Sequence, residues 1–256
     1  MRPTIAELRE KTQPLSVKNR RNAEHWSADL YLRKISPYLT RLFIPTKFTP
    51  NGITVLMILT GISISLAFQI PGASGILLAL FLSQMQMLWD CVDGELARWR
   101  EKFSPSGIFL DKIGHYFAES LIPIAIGWRL HQGDNYFYPF LGALLATIIV
   151  INKGLNDAVH VARAFSGLDK LADKKVEIRN SGLAKVRKVA NLLPFHRAYH
   201  SVEISIIFSI AYFLGALEEA FLLLVIASPN SYPRSYNFNS CIKQIKEKLN
   251  QGHGKY

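Results

Sequence analysis

The sequence predicts an all-α, polytopic membrane helix bundle of about six spans, with an interfacial amphipathic helix ahead of it. Three observations predict this. Of the 256 residues, 49% are hydrophobic, and they fall in membrane-length blocks. The lysines and arginines, which bring the formal charge to +11, lie mostly between those blocks. The ionisable residues found within apolar segments recur at helical spacing, as they do when they face a bundle interior. A charge of this size alone would suit nucleic acid. Its alternation with apolar runs instead follows the positive-inside rule, so no nucleic-acid partner is expected. Cys91 and Cys241 are too far apart to suggest a disulfide framework or a metal spacing, and Cys91 is expected to be a small packing residue.

Taken in order, residues 1–26 form a polar N-terminal segment without the early apolar stretch of a cleavable signal peptide. Residues 1–25 are expected to be mobile or only partly ordered. The membrane-embedded domain is expected over 27–228. From Ser27 to Phe43, Leu30, Tyr31, Ile35, Leu39 and Leu42 recur near helical spacing with Arg33, Lys34 and Arg41 between them. That pattern reads as a helix lying on the membrane surface, kinked or divided at Pro37. A first span follows over Gly52–Ile70, and Pro71 and Gly72 turn the chain. A second span from Ala73 carries into Asp90 and Asp93. A third runs over Gly107–Trp128 and a fourth over Tyr136–Phe165. A basic loop with Lys170, Lys174, Lys175, Arg179, Lys185, Arg187, Lys188 and Arg197 comes next. The last apolar run, Val202–Ala227, is too long for one span and short for two. Its break is expected between Gly215 and Glu219, giving a fifth span and an abbreviated sixth. Residues 229–256 read as a polar cytoplasmic tail. The loops on the other side contain only Arg129, so both termini are expected in the cytoplasm, with the chain in the cell (inner) membrane.

The chain is organised around Asp90–His115, DCVDGELARWREKFSPSGIFLDKIGH. At about 100° per residue, Asp90, Asp93, Gly94, Ala97 and Arg98 share one helical sector, with Val92 and Leu96 roughly opposite. After a break at Ser104, Pro105 and Ser106, the residues Gly107, Asp111 and His115 follow at steps of four. Two helices with acids on facing sides can close around a divalent cation. Oxygen ligands from Asp90, Asp93 and Asp111 suit Mg²⁺ or Mn²⁺ better than a soft metal. Gly94, Ala97 and Gly107 keep that face low enough for a bulky ligand. Arg98 can hold a phosphate through its planar fork.

The pattern DxxDGxxAR, then eight residues, then GxxxDxxx closely resembles the motif of the CDP-alcohol phosphatidyltransferases. Thr49-Pro50-Asn51-Gly52-Ile53-Thr54 resembles the TPNxIT stretch at the start of that family's first span. The resemblance covers about residues 35–215 and departs at its last position, where His115 replaces a fourth aspartate. It implies that Asp90, Asp93, Asp111 and His115 hold Mg²⁺ or Mn²⁺, and that Gly94, Ala97, Arg98 and Gly107 bind the CDP-linked lipid or alcohol donor. The implied reaction transfers a phosphatidyl-type group to a hydroxyl and releases CMP, with the site open to the cytoplasm. The implied assembly is a homodimer among membrane lipids. An imidazole can serve as ligand or as general base near pH 7. Glu119, four residues on, can orient it, so His115 and Glu119 form the expected catalytic pair. Altered turnover and a purely structural histidine stand beside that reading.

Further along, Asn152, Lys153, Asn156, His160 and Arg163 form a polar stripe on the fourth span. His196, Arg197, His200 and Glu203 cluster at the start of the fifth. Lys153, Arg197 and His200 are the expected acceptor-binding residues, and their charge leans toward an anionic acceptor such as a polyol phosphate. Snorkelling to the interface accounts for Arg163 and Arg197 almost as well. Gln86 lies on the acid-bearing face, suited to a base contact or to a packing hydrogen bond. Gly61 and Ser65 read as close helix packing. Two rival functions come from other classes. One is a non-catalytic binding or scaffold relative, favoured by His115. The other is a small transporter, against which no inverted repeat is visible.

Overall fold

The computed structural model describes residues 3–14, 28–167 and 198–228, and Arg197 and His196 lie outside them. Among the described residues every regular element is helical, and the only extended pairing is an isolated bridge between Gln132 and Asn135. The helices are α1 (Ile5–Thr12), α2 (Arg33–Phe43), α3 (Pro50–Gln69), α4 (Gly72–Arg100), α5 (Pro105–Arg129), α6 (Phe137–Phe165), α7 (Ser201–Phe213) and α8 (Leu217–Ala227).

Part of the N-terminal segment is a capped and packed helix. Thr4 and Glu7 form a reciprocal capping box, with Glu7 N–H donating to Thr4 Oγ1 at 3.2 Å and Thr4 N–H donating to Glu7 Oε2 at 2.7 Å. Leu8, Thr12 and Gln13 are buried against the bundle. A helix of eight residues is marginal alone, so tertiary contact supplies its stability. The chain is also not divided at Pro37, and α2 runs through it after a π-helical turn at Ala28–Leu32. Proline lacks the N–H that would bond the carbonyl four residues back, which is that of Arg33. Gln13 Nε2 donates to this carbonyl at 2.7 Å, so the first helix satisfies what the proline leaves open.

Among the described residues, three helices are long and apolar enough to cross a membrane: Pro50–Gln69, Gly72–Arg100 and Phe137–Phe165. Helix α5 has spanning length, 25 residues, but carries Asp111, Lys112, His115 and Glu119 between its start and just past its middle. The last apolar run breaks where expected, with Gly215 at φ 70° between α7 and α8. These two helices have 13 and 11 residues. At 1.5 Å per residue each extends only ~20 Å or less, short of a ~30 Å hydrocarbon core.

The apolar core occupies one end of the bundle. Ile64 and Phe68 of α3, Ile76 of α4, Ile122 and Ile126 of α5, Leu145 of α6, Phe208 of α7 and Phe221 of α8 meet there. The motif lies at the other end, where α4 finishes and α5 begins. Val92 and Leu96, expected to face away from the acids, pack with Ile53 of α3 and against Leu39 and Phe43 of α2. Close approach of α3 and α5 is set at Gly61, where an added Cβ would stand 2.9 Å from the Cβ of Ala118. Arg100 and Arg129 cap helix ends. Arg100 Nη2 donates to the carbonyls of Phe43, Ile44 and Thr46, and Arg129 donates to those of Phe68, Ile70 and Gly72.

Candidate active site

A tight reversal between α4 and α5 builds the site. Helix α4 ends at Glu101, whose backbone turns left-handed at φ 55°, and Lys102 N–H closes onto the carbonyl of Ala97 at 3.0 Å. Ser104 then caps α5, its Oγ accepting from Gly107 N–H at 3.0 Å, with Pro105 at the first helical position. Asn51 of α3 ties in through Nδ2, which donates to Ser106 Oγ at 3.1 Å. A Cβ on Gly107 would come within 2.8 Å of Asn51 Oδ1. The surface over Gly107 is therefore filled by this α3–α5 junction.

The antiparallel return sets α5 beside the acids of α4. His115 Nε2 stands 3.4 Å from Asp90 Oδ1 and 3.6 Å from Asp111 Oδ1. One ligand atom from each of Asp90, Asp111 and His115 lies within 4.8 Å of the others. Two carboxylates and an imidazole at this spacing fit a small dication, and the nitrogen favours Mn²⁺ over Mg²⁺. Asp93, also expected as a ligand, is not among the three that converge. Its Oδ2 accepts from Thr54 Oγ1 at 2.7 Å, which orients the carboxylate. Thr54 belongs to the Thr49–Thr54 stretch, and this bond gives that stretch a part in the site.

Behind His115 lies a buried carboxylate that gathers three helices. Glu119 is 1% exposed. Its Oε2 is 2.9 Å from Lys153 Nζ on α6. Its Oε1 is 3.1 Å from Nδ1 of His200, at the head of α7, and 3.6 Å from His115 Nδ1. Lys153 and His200 are thus brought together as expected, but onto Glu119. Arg163 is buried with partners of its own, and Gln86 is buried as a packing residue whose Oε1 accepts from Ser201 Oγ at 2.7 Å.

A cleft of about 110 Å³ opens between α5 and α6, lined by Asp111, Lys112, His115, Tyr116, Lys153, Asn156 and Asp157. Asp157 accepts from Lys112 Nζ at 2.5 Å and from Tyr116 O–H at 2.6 Å. Asn156 Oδ1 is buried in this wall without a hydrogen-bond partner. Asp157 and Tyr116 were not singled out from the sequence. Asp157 lies four residues beyond Lys153, and this spacing was the available signal.

On the other flank of the motif, Glu95 is likewise 1% exposed. It accepts from Gln13 Nε2 (2.8 Å), Ser36 Oγ (2.5 Å) and Thr40 Oγ1 (2.6 Å). Arg98 Nε donates to the carbonyl of Thr12 at 2.5 Å, and its guanidinium lies over Gly94.

The chain is 31% identical over 118 residues to a protein of Aquifex aeolicus named bifunctional IPC transferase and DIPP synthase, a match covering 46% of this chain and 25% of that protein. A protein of the same name from Thermococcus kodakarensis is 29% identical over 118 residues, covering 46% of this chain and 26% of its own length. The chain thus spans about a quarter of the length of the curated relatives it matches. The sequence profile of the CDP-alcohol phosphatidyltransferases matches residues 47–227, which take in the whole α4–α5 motif and helices α6 to α8, and the chain belongs to that family.

Proposed function

We propose that the protein transfers the phosphoalcohol, phosphatidyl-type group of a CDP-linked donor to a hydroxyl acceptor and releases CMP, in a metal-dependent reaction. The observation that carries this is the convergence of Asp90, Asp111 and His115 from two helices beside the Asp93–Thr54 pair. From the curated relatives only transferase chemistry is carried over. A divalent cation, Mg²⁺ or Mn²⁺, held by Asp90 and Asp111, with Asp93 oriented beside them by Thr54, would neutralise charge building on the pyrophosphate. Arg98 would hold the same diphosphate through its two Nη groups, with Gly94 leaving room for that guanidinium and Ala97 for the donor.

The acceptor oxygen attacks the alcohol-side phosphorus, the phosphoanhydride P–O bond breaks, and CMP leaves with the bond electrons. The hydroxyl proton goes to His115. Its Nδ1 faces Glu119, which favours the tautomer with Nδ1–H directed at that carboxylate and turns Nε2 toward Asp90 and Asp111. One nitrogen cannot bind a cation and accept a proton at once, so we assign Nε2 to the proton. The cleft between α5 and α6 receives the acceptor. Its amide, carboxylate and phenol groups suit several hydroxyls, and Lys153 suits an anionic substituent such as the phosphate of a polyol phosphate. The site opens to the cytoplasm in a membrane protein that works as a homodimer.

His115 at the fourth motif position favours a second reading, a relative that binds CDP compounds without turnover. One experiment decides between them. Purified protein is incubated with CDP-diacylglycerol or a CDP-linked polyol, Mn²⁺ or Mg²⁺, and a panel of alcohols and polyol phosphates, and CMP is measured. Metal-dependent CMP release, reduced at least ~10³-fold by Asp111→Ala, is expected. CDP binding without release would establish the second reading.

A further inference from the structure

We infer that the N-terminal helix is a working part of the donor-diphosphate site, with Glu95 and Gln13 as positioning residues that set the Arg98 fork. This rests on the reading of Arg98 as the phosphate-holding residue. A guanidinium offers five N–H donors in a rigid plane, so fixing one edge aims the rest. Here the fixed edge is Nε, which donates to the carbonyl of Thr12 at 2.5 Å. Thr12 is the last residue of α1, where carbonyls lack helical partners and carry the negative end of the helix dipole. With Nε held there, Nη1 and Nη2 come to 3.1 and 3.2 Å from the point where a side chain on Gly94 would begin. Both terminal amines therefore overlie the motif helix on its acid-bearing face, in the paired arrangement that suits two phosphate oxygens.

What holds Thr12 in place is the next residue. Gln13 Nε2 donates both to Glu95 Oε1, at 2.8 Å, and to the carbonyl of Arg33, at 2.7 Å. Glu95 is one helical turn before Arg98 and also holds α2 through Ser36 and Thr40. A second attachment lies just beyond, where Lys11 pairs with Glu101 at 2.8 Å and its ammonium sits over the Trp99 ring. An arm that merely covered apolar surface would need no buried carboxylate, since burying one is costly unless specific donors meet it. The carboxylate sits inside the motif, its donors come from outside it, and the arginine between them is aimed by the arm's own backbone.

The test uses full-length protein in detergent, CDP with Mn²⁺ as the ligand, and calorimetric titration, with Mn²⁺ affinity measured separately by electron paramagnetic resonance. Arg98→Ala is expected to weaken CDP binding on the order of 100-fold, as loss of a bidentate charge-assisted contact does. Gln13→Ala should weaken it about 5–10-fold and Glu95→Gln about 3–10-fold, with Mn²⁺ affinity unchanged, because the arm acts through the arginine. In the Arg98→Ala background, Gln13→Ala should add nothing. The inference is overturned if Gln13→Ala and Glu95→Gln keep wild-type CDP affinity. It is also overturned if the Gln13→Ala loss persists without Arg98, or if Mn²⁺ affinity falls in parallel, which marks general distortion. Wild-type protein that binds no CDP would instead remove the donor reading itself, and this inference with it. Should Glu95→Gln not fold, Gln13→Ala still decides, since it deletes one amide from the end of a short helix.

Discussion

Glu95 and Glu119 are equally buried carboxylates that flank the same motif, and they are satisfied in opposite ways. Glu95 is met by an amide and two hydroxyls, all from the N-terminal arm and α2. Glu119 is met by a lysine and two imidazoles from α5, α6 and α7. Neutral donors can satisfy a carboxylate's lone pairs and hold elements together, but they bring no charge that could act on a ligand. Ionisable partners couple the carboxylate to groups able to bind anions or move protons. The difference separates a network that positions a neighbouring side chain from one whose own members can carry charge or protons, although neither exposure nor residue type distinguishes the two.

The largest expected effect breaks the Glu119 side. Glu119→Gln removes the charge that Lys153 and His200 share and the acceptor that orients His115. Losing one member of a buried ion-paired group costs about 3–5 kcal/mol, which a denaturation series should show, and turnover should fall at least ~10²-fold. Equal losses in Glu95→Gln would erase the contrast. The second effect is smaller and more specific. Lys153→Met keeps the apolar stem but not the ammonium, and should raise KM for a phosphorylated acceptor about tenfold while changing KM for the CDP donor little. A change confined to the donor would move Lys153 out of the acceptor cleft. The smallest effect concerns the departure from the family. His115→Asp restores the family's aspartate and should keep turnover within about tenfold of wild type, since a carboxylate can also take the proton, whereas His115→Ala should lose most of it. Rates of CMP release would check both, and a fully active alanine variant would end the base role.

Much of this was legible in the chain. Helical periodicity placed α3, α4, α5 and α6 within a few residues, because long apolar runs bounded by Pro, Gly and capping residues leave little choice of ends. The polarity of α4 was legible too, since Val92 and Leu96 could only be buried and the acids only opposed to them. Other features were not. Residues 4–13 carry too few apolar side chains to announce a helix, and their order comes from Glu95 and Arg98, which are more than eighty residues away. Pro37 signalled a break that Gln13 repairs. Lys153 and His200 looked like unpaired cations because their partner, Glu119, lies on another helix.

By itself, then, the sequence determined the helical class, the family motif and the set of groups able to bind a dication. Those follow from local periodicity and from residue chemistry, which travel with the chain. Only the tertiary structure decided which carboxylate meets which partner, that Asp93 is held by Thr54 while Asp90, Asp111 and His115 converge, and that the first helix reaches Arg98. The physical reason is range. Hydrogen bonds and ion pairs act over about 3–4 Å, and a contact so short between distant parts of a chain exists only after the helices have packed.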